Sequence, residues 1–205
     1  MAGAGGGRTG DLALAGVLAF LAAAVAVHFI RGDLDWIQAQ MSLYLVGSGG
    51  RLLQGGYCAM AAALVLLAEG LHRELAPQAR SGAPVLLFLL GAAGLCVTAF
   101  AYMDLDGAAP TLVGWIHGVS AYTAFLCVTT AMVLQSWRLR GDPRWRGRFA
   151  PALALALASF AGVWILALGP GLPRGLAQKV VILVIGAWVL LMVQWLRGSN
   201  GRVQA

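Results

Sequence analysis

Apolar residues along this chain come in long blocks with short polar punctuation between them. A helix needs about 20 mostly apolar residues to cross the hydrocarbon of a bilayer. Six blocks meet or approach that length: Leu12 to Ile30, Leu52 to Glu69, Pro84 to Met103, Thr111 to Gln135, Phe149 to Leu168 and Val180 to Leu196. The stretches between them, such as "APQARSGAP", "RGDPRWRGR" and "GPGLPRG", carry turn residues. No charge sits deep within a block. In lipid at this span length only a helix satisfies its own backbone hydrogen bonds. The pattern predicts an all-α, polytopic, six-transmembrane-helix bundle over residues 11–197, with a Gly-rich, disordered tail at 1–10 and a short tail at 198–205.

Composition agrees with the blocks. The chain is 205 residues long, 60% hydrophobic and only 11% charged, against about 25% charged in a soluble domain. So few charges cannot cover a water-facing surface. The net charge of +6 does not point to nucleic acid, because the basic residues punctuate apolar runs and follow a membrane logic. The lipid bilayer is the expected partner, and protein partners are left open. The first apolar run is longer than a signal-peptide core and is followed by five more, so it reads as a retained span. Cys58, Cys96 and Cys127 each lie inside an apolar run and read as small packing residues rather than a disulfide framework.

The charges set a direction. With the N-terminus cytoplasmic, the inner side holds Arg8, Arg73, Arg80, Arg138, Arg140, Arg144, Arg146, Arg148, Arg197 and Arg202, and the outer side holds Arg31, Arg51, Arg174 and Lys179. Ten against four predicts both termini cytoplasmic. The Arg138 to Arg148 loop reads as an inner-leaflet anchor, and His72 falls in the inner loop before it.

That direction gathers the candidate chemistry on the outer side. Four of the eight acidic residues stand in two copies of one triplet, Asp33-Leu34-Asp35 after the first span and Asp104-Leu105-Asp106 after the third. On an extended segment both carboxylates of a triplet face the same way, a spacing that suits a divalent cation. His28 lies at the outer end of the first span. His117 lies about 9 Å into the fourth span at 1.5 Å per residue, where an ionisable residue is a functional candidate. Around it, "GWIHGVSAY" sets Gly114 and Gly118 as a G-x-x-x-G pair that predicts close approach of another helix. Ser42, Tyr44 and Arg51 enter from the same side, with Asp33 or Asp35 as the sequence-nearest partners of Arg51.

The segments "RGDLDWIQAQMSLYLVGSGG" and "AYMDLDGAAPTLVGWIHGVSAYTAF" resemble a bacterial membrane family catalogued as domain of unknown function 998. The family pattern maps onto Asp33 or Asp35, Ser42, Tyr44, Gly47, Gly50, Asp104 or Asp106, and His117, and covers about Leu12 to Leu196. Arg51 stands where the pattern has an aromatic residue. The resemblance implies about six spans, a bacterial inner-membrane location and no established activity. A looser similarity, loop Asp then helix His, is to membrane hydrolases related to alkaline ceramidases. Their paired histidines on a late span are missing here, since spans five and six contain no His.

Several functions compete for the outer cluster. It knits the bundle as a structural or accessory protein, or it binds a small amphiphile. As a hydrolase, His117, His28 and Asp104 would hold a divalent metal that activates water at the outer leaflet. As a transporter, a His–Asp pair would couple a solute to protons. A single haem between His28 and His117 is a fourth reading.

Overall fold

The computed structural model describes residues 5–105, 107–169 and 171–200. Six helices dominate it: α1 (Gly5–Ile30), α2 (Gly50–Glu74), α3 (Gly82–Phe100), α4 (Leu112–Arg138), α5 (Phe149–Leu168) and α6 (Arg174–Asn200). All six contain a stretch long and apolar enough to cross a membrane. The shortest, α3, has 19 residues and is about 28 Å long, close to the thickness of a bilayer core. No strand occurs among the described residues. Each helix packs on its neighbours in the chain, α6 closes back on α1, and α2 also reaches across to α6.

Local chemistry explains where the helices start. Ser81 caps α3 by accepting from the Ala83 amide, and Thr111 caps α4 by accepting from Gly114 at 3.0 Å. Pro84 and Pro151 sit in the first turns of α3 and α5, where a missing N–H costs nothing. Helices meet closely where small residues let them. A Cβ on Gly16 would lie 2.6 Å from the Ala59 carbonyl, joining α1 to α2. One on Gly94 would lie 2.8 Å from the Ser120 carbonyl, joining α3 to α4. The fully buried core includes Leu53, Leu67, Leu71, Phe88, Met132, Trp188 and Met192. Trp188 donates its indole N–H to Ser136 at 3.0 Å, which satisfies the one polar atom of that ring.

The helix ends depart from the apolar blocks in informative ways. α5 coincides with its block. α6 begins at Arg174, six residues before Val180, because Gln178 and Lys179 bond the backbone of residues 36–41 and so extend the helix past its apolar stretch. α2 runs to Glu74 and takes in His72, read from the sequence as loop. α1 begins at Gly5, within the stretch read as a tail. There Gly10 packs against Arg197, whose Nε donates to Asp11 at 2.6 Å. Residues 1–4 and 201–205 of the two expected tails lie outside the described residues. Cys58, Cys96 and Cys127 are all free thiols.

Candidate functional site

The α1–α2 connection is the least ordinary part of the fold. Residues 32–38 run mostly exposed, but residues 39–45 then fold inward as a plug with a 3₁₀ turn at Met41–Leu45. Met41, Ser42, Tyr44 and Leu45 are buried, Tyr44 completely. Gly47 and Gly49 hold φ of +86° and +78°, a region that costs other residues energy, and so let the chain double back into α2.

Polar groups pin this plug. Arg31 donates to both Asp33 oxygens at 2.8 Å and also to the Val46 carbonyl. The bond to Arg31 holds the Asp33 carboxyl below its ordinary pKa, and the carboxylate in turn raises Arg31. Asp35 accepts from the Ile37 amide at 2.8 Å, an Asx turn. From α6, Gln178 accepts from the Met41 amide at 2.7 Å, and Lys179 donates to the carbonyls of Trp36 and Ala39 at 2.8 and 2.5 Å. Lys179 also stands over the Tyr44 ring, 5.3 Å from its centre. His28 lies against the other side of the site, its ring 4.5 Å from that of Tyr44 and its Nδ1 2.6 Å from the Ala24 carbonyl. Burial pushes the Tyr44 phenol above its usual pKa.

The second triplet does different work. Asp104 accepts from the Thr111 amide and hydroxyl at 3.0 and 2.6 Å, closing the turn ahead of α4. Those two bonds hold its carboxyl below the usual range. Asp106 lies outside the described residues. His117 is buried, with Nδ1 2.6 Å from the carbonyl of Ala101, the residue that ends α3. One turn on, Ser120 and Thr98 share a 2.8 Å hydrogen bond. These contacts tie α4 to the end of α3.

The structure therefore brings together only part of the expected cluster. Arg31, Asp33, Tyr44 and His28 converge on the plug. Asp104 and His117 belong to the α3–α4 connection. Among the described residues no three His, Cys, Asp or Glu side chains gather as a metal site, so His28, His117 and Asp104 do not form one. The Asp33–Asp35 segment turns instead of extending, and its two carboxylates take separate partners. Arg51 is exposed, and Asp33 is bound by Arg31 instead. The Gly114–Gly118 pair admits no helix: Asp104 occupies the space beside Gly114, and a Cβ on Gly118 would meet nothing within 4 Å. The close approach on this face is made by Gly94 of α3.

Among the helices, with Ser42 of the plug in its wall, lies a cavity that the motifs did not announce. It measures about 90 Å³, with α4 and α6 facing each other across it and α1, α2 and α3 completing the wall. Most of the lining is apolar, including Phe20, Met60, Leu64, Leu95, Val128 and Ile182. Ser42, Tyr57, Thr98 and Gln178 supply the polar atoms. Thr98 is bonded to Ser120 and Gly94. The hydroxyls of Ser42 and Tyr57, residues only 6% exposed, have no hydrogen-bond partner among the described residues. Gln178 spends its carbonyl on Met41 and leaves its amide nitrogen unbonded. Among the described residues the completely buried polar side-chain atoms without a partner lie elsewhere, His72 Nδ1 and Gln135 Nε2; the three groups here reach the cavity space instead, so their hydrogen bonds are available to whatever fills it. In the sequence Tyr57 stands in an apolar block while Ser42 and Gln178 fall in two separate connections, and only Ser42 lay in a recognisable motif.

Across residues 14–195 the chain matches the family described as "Protein of unknown function (DUF998)". No curated protein and no solved structure matches it.

Proposed function

We propose that this chain, which belongs to the DUF998 family, is a membrane protein that holds a small single-chain amphiphile inside its helix bundle. The observation that carries the reading is the cavity with its unspent polar groups: Ser42, Tyr57 and Gln178 on an otherwise apolar wall. A hydroxyl or carboxyl head would bond these three groups, and a short hydrocarbon chain would lie among Met60, Leu64, Leu95 and Val128. A cavity of about 150 Å³ takes up a benzene, so about 90 Å³ holds a polar head with a few carbons and excludes a long or two-chain lipid. The plug is the element that closes the head end, and Gln178 serves both, since the residue that latches Met41 also lines the cavity. The arginine distribution supports an orientation with both termini cytoplasmic and the plug on the outer face. His28, Asp33, Asp35, Asp104 and His117 then shape the walls around the site by fixing the plug and the α3–α4 turn.

The test uses a butanol that carries a photoreactive diazirine, applied to the full chain in micelles, with crosslinks mapped by peptide mass spectrometry. Labelling is expected on cavity residues of α2, α4 and α6. Gly186 lines the cavity, and a Cβ there would meet nothing within 4 Å. The Cβ of Gly186→Leu therefore fits and the rest of its side chain enters the cavity, which should abolish that labelling at a cost of no more than about 1–3 kcal/mol in stability. Ser42→Ala with Tyr57→Phe removes two hydrogen bonds at about 1 kcal/mol each, so affinity should fall roughly 30-fold. Labelling spread evenly over lipid-facing positions, and indifferent to Gly186→Leu, would refute the proposal.

A further inference from the structure

The other end of the bundle carries a second feature, unrelated to the cavity. The turns at Pro77–Ala79 and Leu139–Gly141, with the ends of α4 and α5, enclose an open groove of about 640 Å³. Its lining includes Gln78, Trp137, Arg138, Arg140, Arg146 and Phe149, so three guanidiniums face it and no carboxylate does.

The nearby acids are already engaged. Arg144 bonds Asp142 at 3.0 Å and Glu74 at 3.3 Å, and Arg73 bonds Glu69 at 2.5 Å. The groove arginines instead contact carbonyls and rings. Arg138 donates to the Arg80 carbonyl at 3.3 Å and Arg146 to the Arg140 carbonyl at 3.4 Å. Arg140 lies 4.2 Å from the centre of the Trp137 ring and 5.3 Å from that of Phe149. A guanidinium carries five N–H donors, so most of the donor capacity of all three remains for an anion. The frame beneath them is rigid. Asp142, 1% exposed, accepts from the Ala76 and Arg144 amides and so clamps both turns, while Trp145 is buried under them.

We propose that this groove is a discrete site for the phosphate of an anionic membrane lipid, with Arg138, Arg140 and Arg146 as its donors and Trp137 and Phe149 as its membrane-level wall. Every basic loop attracts anionic lipid diffusely, by about 1 kcal/mol per charge. Two things make this groove more than that. Contact with the Trp137 and Phe149 rings, which stand at 76° to each other, confines the Arg140 guanidinium in the corner between them, and a confined planar fork recognises phosphate with two parallel bonds. The source is lipid, not soluble phosphate, because both rings terminate membrane-spanning helices, where aromatic side chains sit at headgroup level.

Native mass spectrometry of the full chain released from micelles tests this, with phosphatidylglycerol, phosphatidylcholine and inorganic phosphate as the added species. One phosphatidylglycerol should be retained per chain. Arg140→Ala with Arg146→Ala should weaken retention at least about 100-fold, from two lost charge-assisted contacts, beyond the roughly 30-fold that diffuse attraction of two charges would give. Arg73→Ala, at the same end but outside the groove, removes only the diffuse attraction of one charge and should weaken retention by no more than about fivefold. Arg140→Lys keeps the charge but not the fork and should fall between the two. If the double variant melts lower than wild type, Arg146→Ala alone, which gives up one 3.4 Å contact, makes the same comparison. Equal retention of phosphatidylcholine, equal loss in Arg73→Ala, or displacement of the lipid by millimolar phosphate would each overturn the proposal. None of these results touches the cavity at the opposite end.

Discussion

Asp142 is the residue whose loss should be felt most beyond the membrane core. It is 1% exposed, and it accepts from the Ala76 amide at 2.9 Å, the Arg144 amide at 2.9 Å, and Arg144 Nε and Nη2 at 3.3 and 3.0 Å. The Ala76 bond is the one that crosses between the two turns. Asp142→Ala orphans that amide, which costs about 1–3 kcal/mol when burial persists. The ion pair adds under about 1 kcal/mol, because Arg144 is 58% exposed and water screens it. A total of about 2–3 kcal/mol corresponds to a fall of roughly 5–10 °C in melting temperature for a chain of this size. Asp142→Asn, which keeps one acceptor oxygen, should lose about half of that.

The same residue predicts a pH dependence. Burial raises the Asp142 carboxyl, but the Arg144 guanidinium and the two amide donors outweigh it, and its pKa in the fold lies below the ordinary value. The unfolded chain therefore binds this proton first. The stabilisation is fully present above about pH 4, the ordinary carboxylate range, and is lost as pH falls through the lower folded value. Differential scanning fluorimetry in micelles from pH 7 to pH 3 should show wild type declining at the acid end more than Asp142→Asn. An Asp142→Ala protein that melts within about 2 °C of wild type at pH 7 would refute the clamp.

Two further outcomes follow from the opposite end. His117→Ala removes the bond to the Ala101 carbonyl, and should cost about 1–2 kcal/mol in a micelle unfolding titration; a neutral result would mean that α3 and α4 hold without it. A Cβ on Gly175 would lie 2.5 Å from the Ala39 carbonyl, so Gly175→Val should lift the plug off α6 at a cost of about 1–3 kcal/mol. Faster hydrogen exchange at the Met41 and Leu176 amides, whose partners span that contact, is the readout, and unchanged exchange there would count against the plug as a packed unit.

How much of this could be read from the sequence depends on which physical signal each feature leaves. Apolar length is a strong signal, so the six helices and the α5 boundaries were legible. It fails where a helix is extended by polar contacts: Gln178 and Lys179 lengthen α6 because they bind a loop some 140 residues away in the chain. The doubled Asp-Leu-Asp triplet looked like a paired site because sequence gives spacing but not dihedral angles. Once the backbone turns at Arg31 to Leu34, Asp33 neutralises Arg31, Asp35 caps a turn, and Asp104 closes a loop before a helix. The same gap misread Gly114 and Gly118, whose spacing matches a contact that Gly94 makes from the facing helix. Beyond Ser42 the cavity left no trace in the pattern, because its polar atoms arrive singly: Ser42 from the plug, Tyr57 from α2 and Gln178 from α6. A lone Tyr in an apolar block, or a lone Gln in a connection, reads as an ordinary satisfied residue. Only the fold reveals that these three share one wall and have unspent hydrogen bonds, which is why the site stands on convergence and not on a motif.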